Sequence, residues 1–234
     1  MTEPMMLDLT YRDARNRVMD VAGTLGDHQL RTPVPATPGW TVHLLLAHLV
    51  GGAADAAAGR IDGAPGDDWT ARHVAERQQT PVEELLAEWR QAGPIVESQL
   101  NGVRFTGPNL AADLICHEAD LREALGLPAV DRDHWNPFLD TMMRVLTRRV
   151  RPSASLLVRD ELGNEWECES DQPALTLHAE GYELLRAMFS RRSRAQIRGW
   201  RWSAEPPAAV LDSFGVFGFR DDDQPVPDAT TDVV

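Results

Sequence analysis

The spacing of apolar residues divides this sequence into two parts. In residues 1–152, apolar side chains recur every three or four positions within segments that are separated by loops containing Pro and Gly. This spacing places the apolar side chains on one face of a helix. Because several amphipathic helices joined by loops bury those faces against one another, we expect residues 1–152 to form a helical bundle.

Local signals predict where these helices begin and end. Thr41 is a suitable N-cap for the strongly apolar helix that follows it, and Pro81 lies in the first turn of the next helix. Gly126 ends the helix NLAADLICHEADLREAL, and a further amphipathic stripe covers residues 135–151. Composition predicts a loop over residues 59–68.

The spacing of the apolar residues changes after Pro152. Short, partly alternating segments follow, and Gly163 with Asn164 forms a hairpin signal between two of them. Because these strands are mixed with short helical segments, we expect a small α+β domain over residues 153–220, which makes the whole chain α+β. Residues 221–234 hold five Asp, two Pro and no basic residue, so we predict a disordered acidic tail.

Composition excludes several classes of function. The sequence contains no Lys, so it cannot form a Schiff base and cannot complete the phosphate-binding loop of an NTPase. The formal net charge of −13 repels a phosphate backbone, which argues against nucleic acid as a partner. Two Cys in different parts of the chain do not form a disulfide framework, and no apolar run is long enough for a membrane helix. We therefore expect a cytoplasmic protein.

Three polar residues of the helix NLAADLICHEADLREAL share one face. Asp113 precedes His117 by four positions and Asp120 follows it by three, so carboxylate and imidazole groups converge. His48 lies in the strongly apolar helix. If that helix packs against this one in a bundle, His48 can reach the same carboxylate and imidazole groups. Two His and one carboxylate suit a divalent metal with open coordination positions. The same spacing also fits two structural His in the core and an Asp–His pair on the helix surface.

Several segments, taken in order, resemble the mycothiol-dependent maleylpyruvate isomerase family. The segment TPVPATPGWTVHLLLAHLVGG is similar to the N-terminal signature of that family. DLICHEADLREALG resembles its helix with an acid, a His and an Asp, and LLRAMFSRRSRAQIRGWRWS resembles its C-terminal domain. With LLAEWR between them, the resemblance covers most of residues 30–202. It implies a DinB-like four-helix bundle followed by a small α+β domain.

The resemblance implies that His48, Asp113 and His117 bind a divalent metal, with zinc as the expected ion, and that mycothiol is the thiol cofactor. Asp113 departs from the family, which usually has Glu at this position. An Asp reaches about 1.5 Å less along its helix, the rise of one residue. Either the helices are therefore closer, or the carboxylate binds through water. Asp120 is a candidate catalytic residue that orients His117, or else a surface carboxylate paired with an Arg.

A dense basic run stands out in the acidic chain, formed by Arg191, Arg192, Arg194 and Arg198. Guanidinium groups bind carboxylates through pairs of hydrogen bonds. Arg191 and Arg192 are therefore candidate catalytic residues that hold an anionic substrate. Arg194 is a candidate for binding the thiol cofactor. The alternative is that these arginines pair with the acidic surface. The remaining His match no pattern and are expected to be surface or structural: His28, His43, His73, His134 and His178.

The function implied is a metal- and mycothiol-dependent enzyme that acts on a small, electrophilic and anionic molecule. Its reaction is cis–trans isomerisation or thiol transfer. Two alternatives remain from the sequence: a non-catalytic small-molecule binding protein that has lost the metal, and a metal-dependent hydrolase. The sequence shows no heptad repeat or apolar edge that would indicate the oligomeric state.

Overall fold

Two compact units make up the fold in a computed structural model, which describes residues 6–105 and 109–227. The first unit comprises Met1–Val130 with Pro225–Val234, and the second comprises Asp131–Gln224. The α+β class and the order of a helical part followed by a mixed part confirm the predicted fold. Within the described residues, no helix is both long and apolar enough to span a membrane.

The described part of the first unit is helical. Its elements are α1 (Leu7–Ala22), α2 (Asp27–Leu30), α3 (Val42–Ala57), α4 (Asp67–Arg77), α5 (Val82–Leu100) and α6 (Leu110–Leu125). The four-helix bundle consists of α1, α3, α5 and α6, in which α3 packs against α5 and α6, and α1 packs against the same two helices. Helix α3 is buried on most sides, because α4 also covers it.

Thr41 and Gly126 lie at the helix ends where the sequence predicted them, whereas Pro81 precedes the first residue of α5. The Thr41 hydroxyl accepts a hydrogen bond from the Leu44 amide at 3.4 Å, and α3 begins at Val42, directly after Thr41. Helix α6 is capped by the Asn109 side chain, and Gly126 adopts the left-handed conformation with φ of 64° at its end. These local interactions satisfy backbone groups that the helix itself leaves unpaired.

Helix α4 is a feature that the sequence analysis missed. The predicted loop over residues 59–68 ends at Gly66, and α4 begins at Asp67. Its buried residues, Trp69, His73 and Arg77, repeat every four positions, but two of them are polar, so no apolar stripe marks the helix. Close packing on α3 requires Gly51, where a Cβ atom would lie 2.5 Å from the Cβ of His73.

The second unit combines helices with a four-stranded sheet. Its elements are α7 (Arg132–Val150), β1 (Ser155–Arg159), β2 (Glu165–Cys168), β3 (Ala174–His178), α8 (Gly181–Met188), α9 (Arg194–Arg198), β4 (Arg201–Trp202) and α10 (Ala208–Leu211). The strand order is β2-β1-β3-β4, with β1 and β2 antiparallel as the hairpin signal predicted. The β1–β3 pair is parallel and the β3–β4 pair antiparallel.

The boundary between the units differs from the prediction. The sequence placed it at residues 152 and 153, whereas the structure places it before α7, at residues 130 and 131. Helix α7 packs against α8, β1 and β2. Its Trp135 ring lies 5.7 Å from that of Tyr182, and its Asp140 accepts a hydrogen bond from Trp166 at 3.0 Å. Amphipathicity shows which face of α7 is buried, but not which unit buries it.

The predicted disordered tail is wrong for its first residues. Asp221 pairs with Arg194 at 2.9 Å, and Asp223 accepts a hydrogen bond from Ser193 at 2.5 Å. Gln224 is buried and hydrogen-bonds with Gln196. The acidic residues therefore have partners within the second unit, which the composition of the tail alone does not reveal. Residues 228–234 of the predicted tail lie outside the described residues.

Candidate metal centre

Helices α3 and α6 bring His48, Asp113 and His117 together inside the bundle. One nitrogen of each imidazole and one oxygen of the carboxylate all lie within 4.8 Å of one another. The His48 Nε2 atom is 3.4 Å from one Asp113 oxygen, and the His117 Nε2 atom is 3.6 Å from the other. The side chains of His48 and His117 are 4% and 9% exposed, and that of Asp113 is 39% exposed, so the cluster is open on the carboxylate side.

Two imidazoles and one carboxylate form a donor set that would suit a divalent metal. Zinc binds imidazole nitrogen and carboxylate oxygen at about 2.0–2.2 Å in tetrahedral sites, so two of its ligand atoms lie about 3.3–3.6 Å apart. The His48–Asp113 and His117–Asp113 separations fall in this range, each measured to a different oxygen of the carboxylate. The shorter Asp113 side chain therefore lies close to both His side chains.

Asp120 fixes the orientation of His117. Its carboxylate oxygen lies 2.9 Å from His117 Nδ1, and the residue is 1% exposed. The carboxylate accepts the Nδ1 proton, so the lone pair of Nε2 points toward Asp113. Of the two interpretations of Asp120 considered from the sequence, the structure thus agrees with the one that orients His117.

An aromatic ring forms one side of the cluster. The Trp40 ring centroid is 5.1 Å from that of His48 and 6.2 Å from that of His117. The two His rings are themselves 5.0 Å apart and nearly perpendicular, at 77°. Trp40 precedes the helix cap, so the same PGWT segment that starts α3 also places an apolar surface beside the two imidazoles. The sequence analysis did not give Trp40 a place near the site.

The sequence analysis also missed His73, which it expected to be a surface or structural residue. His73 is fully buried, and its ring centroid lies 5.6 Å from that of His48. Its Nε2 atom is 3.1 Å from the buried carboxylate of Asp55. Burial lowers the pKa of His73, an effect that outweighs the opposing hydrogen bond that His73 donates to Asp55. The signal that could have found it is Gly51, which lies one turn after His48 and permits close packing on α3.

The arginines of the predicted basic patch have acidic or backbone partners in the second unit. Arg192 is 1% exposed and forms two hydrogen bonds with Glu183, at 2.6 and 2.7 Å. Arg191 is buried and donates to a backbone carbonyl at 2.8 Å. Arg194 pairs with Asp221 at 2.9 Å. The interpretation of Arg191, Arg192 and Arg194 as ligands of a substrate or cofactor is therefore not supported by their surroundings, which give them structural roles.

Comparison with solved structures places the fold beside that of an enzyme. The chain resembles the crystal structure of the mycothiol-dependent maleylpyruvate isomerase and that of a histidine-to-alanine mutant of it. In each case the identity is 14%, the TM-score is 0.54, and the match covers 86% of this chain and 95% of the other. At this identity the likeness concerns the fold. No curated protein matches the chain.

A family model gives a more specific result. Residues 11–110 match the model described as the mycothiol maleylpyruvate isomerase N-terminal domain. The matched region includes His48 and ends three residues before Asp113. The fold and this match therefore confirm the predicted resemblance: residues 11–110 are similar to the N-terminal domain of the mycothiol maleylpyruvate isomerase family.

Proposed function

We propose that this protein is a metal-dependent enzyme that uses mycothiol to act on an electrophilic small molecule, by cis–trans isomerisation or thiol transfer. The observation that carries the proposal is the convergence of His48, Asp113 and His117 within 4.8 Å in a domain of this family. Both reactions require a thiolate at neutral pH. These three residues would hold a divalent metal, with zinc expected, which would favour the thiolate by lowering the pKa of the thiol.

The residues of the chain prepare this site in three ways. His48 and His117 present their Nε2 atoms to the same carboxylate, so little rearrangement is needed to bind an ion. Asp120 holds the proton of His117 on Nδ1. Trp40 and the buried faces of α3 and α6 keep water from the sides of the imidazoles. A polar site that holds its ligands in place loses little free energy to reorganisation when it binds its ion.

The opening of the site indicates where small molecules enter. The Asp113 side chain is 39% exposed, whereas the two His side chains are nearly covered. A thiol and its electrophilic partner therefore approach beside Asp113. We expect an anionic electrophile, as the family resemblance implies. A thiol cofactor requires a reducing compartment, so we expect the protein to act in the cytoplasm.

The first test is the metal content of the purified protein. We expect one equivalent of divalent metal in the wild type, and loss of that metal in His48→Ala and in His117→Ala. His43→Ala is the matched control, since His43 lies on the same helix but hydrogen-bonds to the Thr80 carbonyl at 2.8 Å. Full metal in both His48→Ala and His117→Ala refutes the assignment of these residues as ligands. Absence of metal from the wild type refutes the proposal and favours a binding protein that has lost its metal.

The second test is the requirement for the thiol. Metal-loaded protein is assayed with maleylpyruvate and with a reactive electrophile such as a haloalkane, each with and without mycothiol. We expect turnover of at least one of them, only when mycothiol is present. Hydrolysis that proceeds equally well without mycothiol contradicts the proposal and identifies a metal-dependent hydrolase.

A further inference from the structure

Two buried nitrogen atoms next to the metal centre lack partners within the described part of the chain. They are the Nδ1 atoms of His48 and of His73, and neither is exposed to solvent. The two ring centroids lie 5.6 Å apart, and the ring planes are tilted by 33°. An unpaired buried polar atom costs about 1–3 kcal/mol, so two of them in neighbouring rings call for a common explanation.

Metal binding makes His48 Nδ1 a hydrogen-bond donor. The His48 Nε2 atom faces Asp113 at 3.4 Å, so this nitrogen is the one that binds the ion. A neutral imidazole that binds a metal through one nitrogen carries its proton on the other. The proton of His48 therefore lies on Nδ1 and requires an acceptor, since ligating His residues donate that proton to a neighbouring group.

In His73 the proton lies on Nε2, whereas in metal-bound His48 it lies on Nδ1. Its Nε2 atom lies 3.1 Å from Asp55, whose carboxylate also accepts hydrogen bonds from Arg60 and Arg72. Burial raises the pKa of Asp55, but the hydrogen bonds from Arg72, Arg60 and His73 outweigh it and lower the pKa to about 2. An ionised carboxylate only accepts, so His73 Nε2 carries the proton. His73 Nδ1 is consequently a bare acceptor.

We propose that His73, anchored by Asp55, is a positioning residue that accepts the Nδ1 proton of His48, directly or through one buried water. This inference rests on the proposed metal site and assigns to His48 the same kind of support that Asp120 gives to His117. At a ring separation of 5.6 Å, a direct bond needs a small shift of one ring, and a water with two polar partners fills a wider gap.

Gly51 makes this arrangement possible. It follows His48 by three residues on α3, and a Cβ atom there would meet the Cβ and Cγ atoms of His73 at 2.5 and 2.7 Å. Those are atoms at the base of the side chain, so His73 cannot avoid the contact by rotating its ring. A larger residue at position 51 would push α4 and its imidazole away from the metal centre.

Two substitutions separate the roles of the two His73 nitrogens. His73→Gln places an amide nitrogen where Nε2 can still donate to Asp55, but it removes the acceptor at the δ position. His73→Asn keeps an acceptor oxygen at the δ position and loses the donor to Asp55. We measure zinc affinity by competition with a chromophoric chelator. Outer partners of ligating His typically contribute 10–100-fold in metal affinity, so we expect His73→Gln to bind zinc about 10–100-fold more weakly.

The remaining results decide the inference. His73→Asn should bind zinc more tightly than His73→Gln, and Gly51→Ala should weaken binding as well. Urea unfolding of each metal-free variant corrects the affinities for lost stability. Two results would overturn the role of His73 while leaving the proposed metal site intact. One is equal zinc affinity in the wild type and His73→Gln, and the other is tighter zinc binding by His73→Gln than by His73→Asn. Absence of zinc binding in the wild type instead overturns the proposed metal site, and this inference with it.

Discussion

Replacing Asp120 tests how the bundle prepares the proposed metal centre. In the wild type the Asp120 carboxylate accepts a hydrogen bond from His117 Nδ1, with 2.9 Å between nitrogen and oxygen, and Asp120 is 1% exposed. Asp120→Ala leaves that N–H buried without an acceptor, which costs about 1–3 kcal/mol. The metal-free protein can avoid the cost by moving the proton to Nε2, where Asp113 lies 3.6 Å away. The metal-bound protein cannot, so the cost falls on metal binding.

The expected loss of zinc affinity follows from this reasoning. At about 1.4 kcal/mol per tenfold change, a cost of about 1–3 kcal/mol corresponds to roughly 5–150-fold weaker binding for Asp120→Ala. Asp120→Asn keeps an acceptor but loses the charge, and neutral hydrogen bonds are about half as strong as charge-assisted ones. We therefore expect Asp120→Asn to bind zinc roughly 2–12-fold more weakly.

Chelator competition at constant pH measures these affinities. The matched control is Glu118→Gln, on the same helix, because Glu118 is as buried as Asp120 but pairs with Arg17 at 2.7 and 2.8 Å. The control should lower the free energy of unfolding and leave zinc affinity unchanged. The reasoning is refuted if Asp120→Ala binds zinc as tightly as wild type, or if Glu118→Gln weakens zinc binding as much as Asp120→Ala does.

Three further predictions concern stability. Glu183→Gln breaks a buried bidentate ion pair with Arg192, so urea unfolding should show a loss of about 3–5 kcal/mol, and a loss below about 1 kcal/mol would contradict a structural role for that pair. Tyr11→Phe leaves the buried Trp89 N–H, now 2.9 Å from the Tyr11 hydroxyl, without an acceptor and should cost about 1–3 kcal/mol in the same assay. The pKa of Asp55 is about 2 in the folded protein against an ordinary 3.8, so its stabilising effect is complete above about pH 4 and is lost as the pH falls toward 2. Asp55→Asn should flatten the acid limb of stability against pH, and an unchanged limb would contradict this.

Features set by neighbours in the sequence were predicted successfully. The caps at Thr41 and Gly126 depend on side chains or backbone conformation within four residues of the helix end. The shared face of Asp113, His117 and Asp120 depends only on the 3.6-residue repeat of α6. The hairpin between β1 and β2 depends on its turn. In each case the interacting groups are close in sequence, so tertiary packing has little to decide.

The errors concern groups that are distant in sequence. Helix α4 lacks an apolar stripe because its buried face is made of Trp69, His73 and Arg77, and Arg77 pairs with Glu88 on α5. The basic run was interpreted as a binding patch because the sequence does not show that Glu183 lies beside Arg192. Charge and polarity identify residues that need partners, but they do not identify the partners.

The sequence by itself determined the helical first part, the mixed second part, and a helix whose spacing aligns Asp113, His117 and Asp120. Tertiary structure places His48 beside Asp113 and His117, as the family resemblance implied, and it alone decided that His73 packs behind His48 and that α7 belongs to the second unit. The physical reason is that periodicity and capping are local, whereas burial is shared between surfaces. A buried face is evident from one helix, but the group that covers it is supplied by another part of the chain.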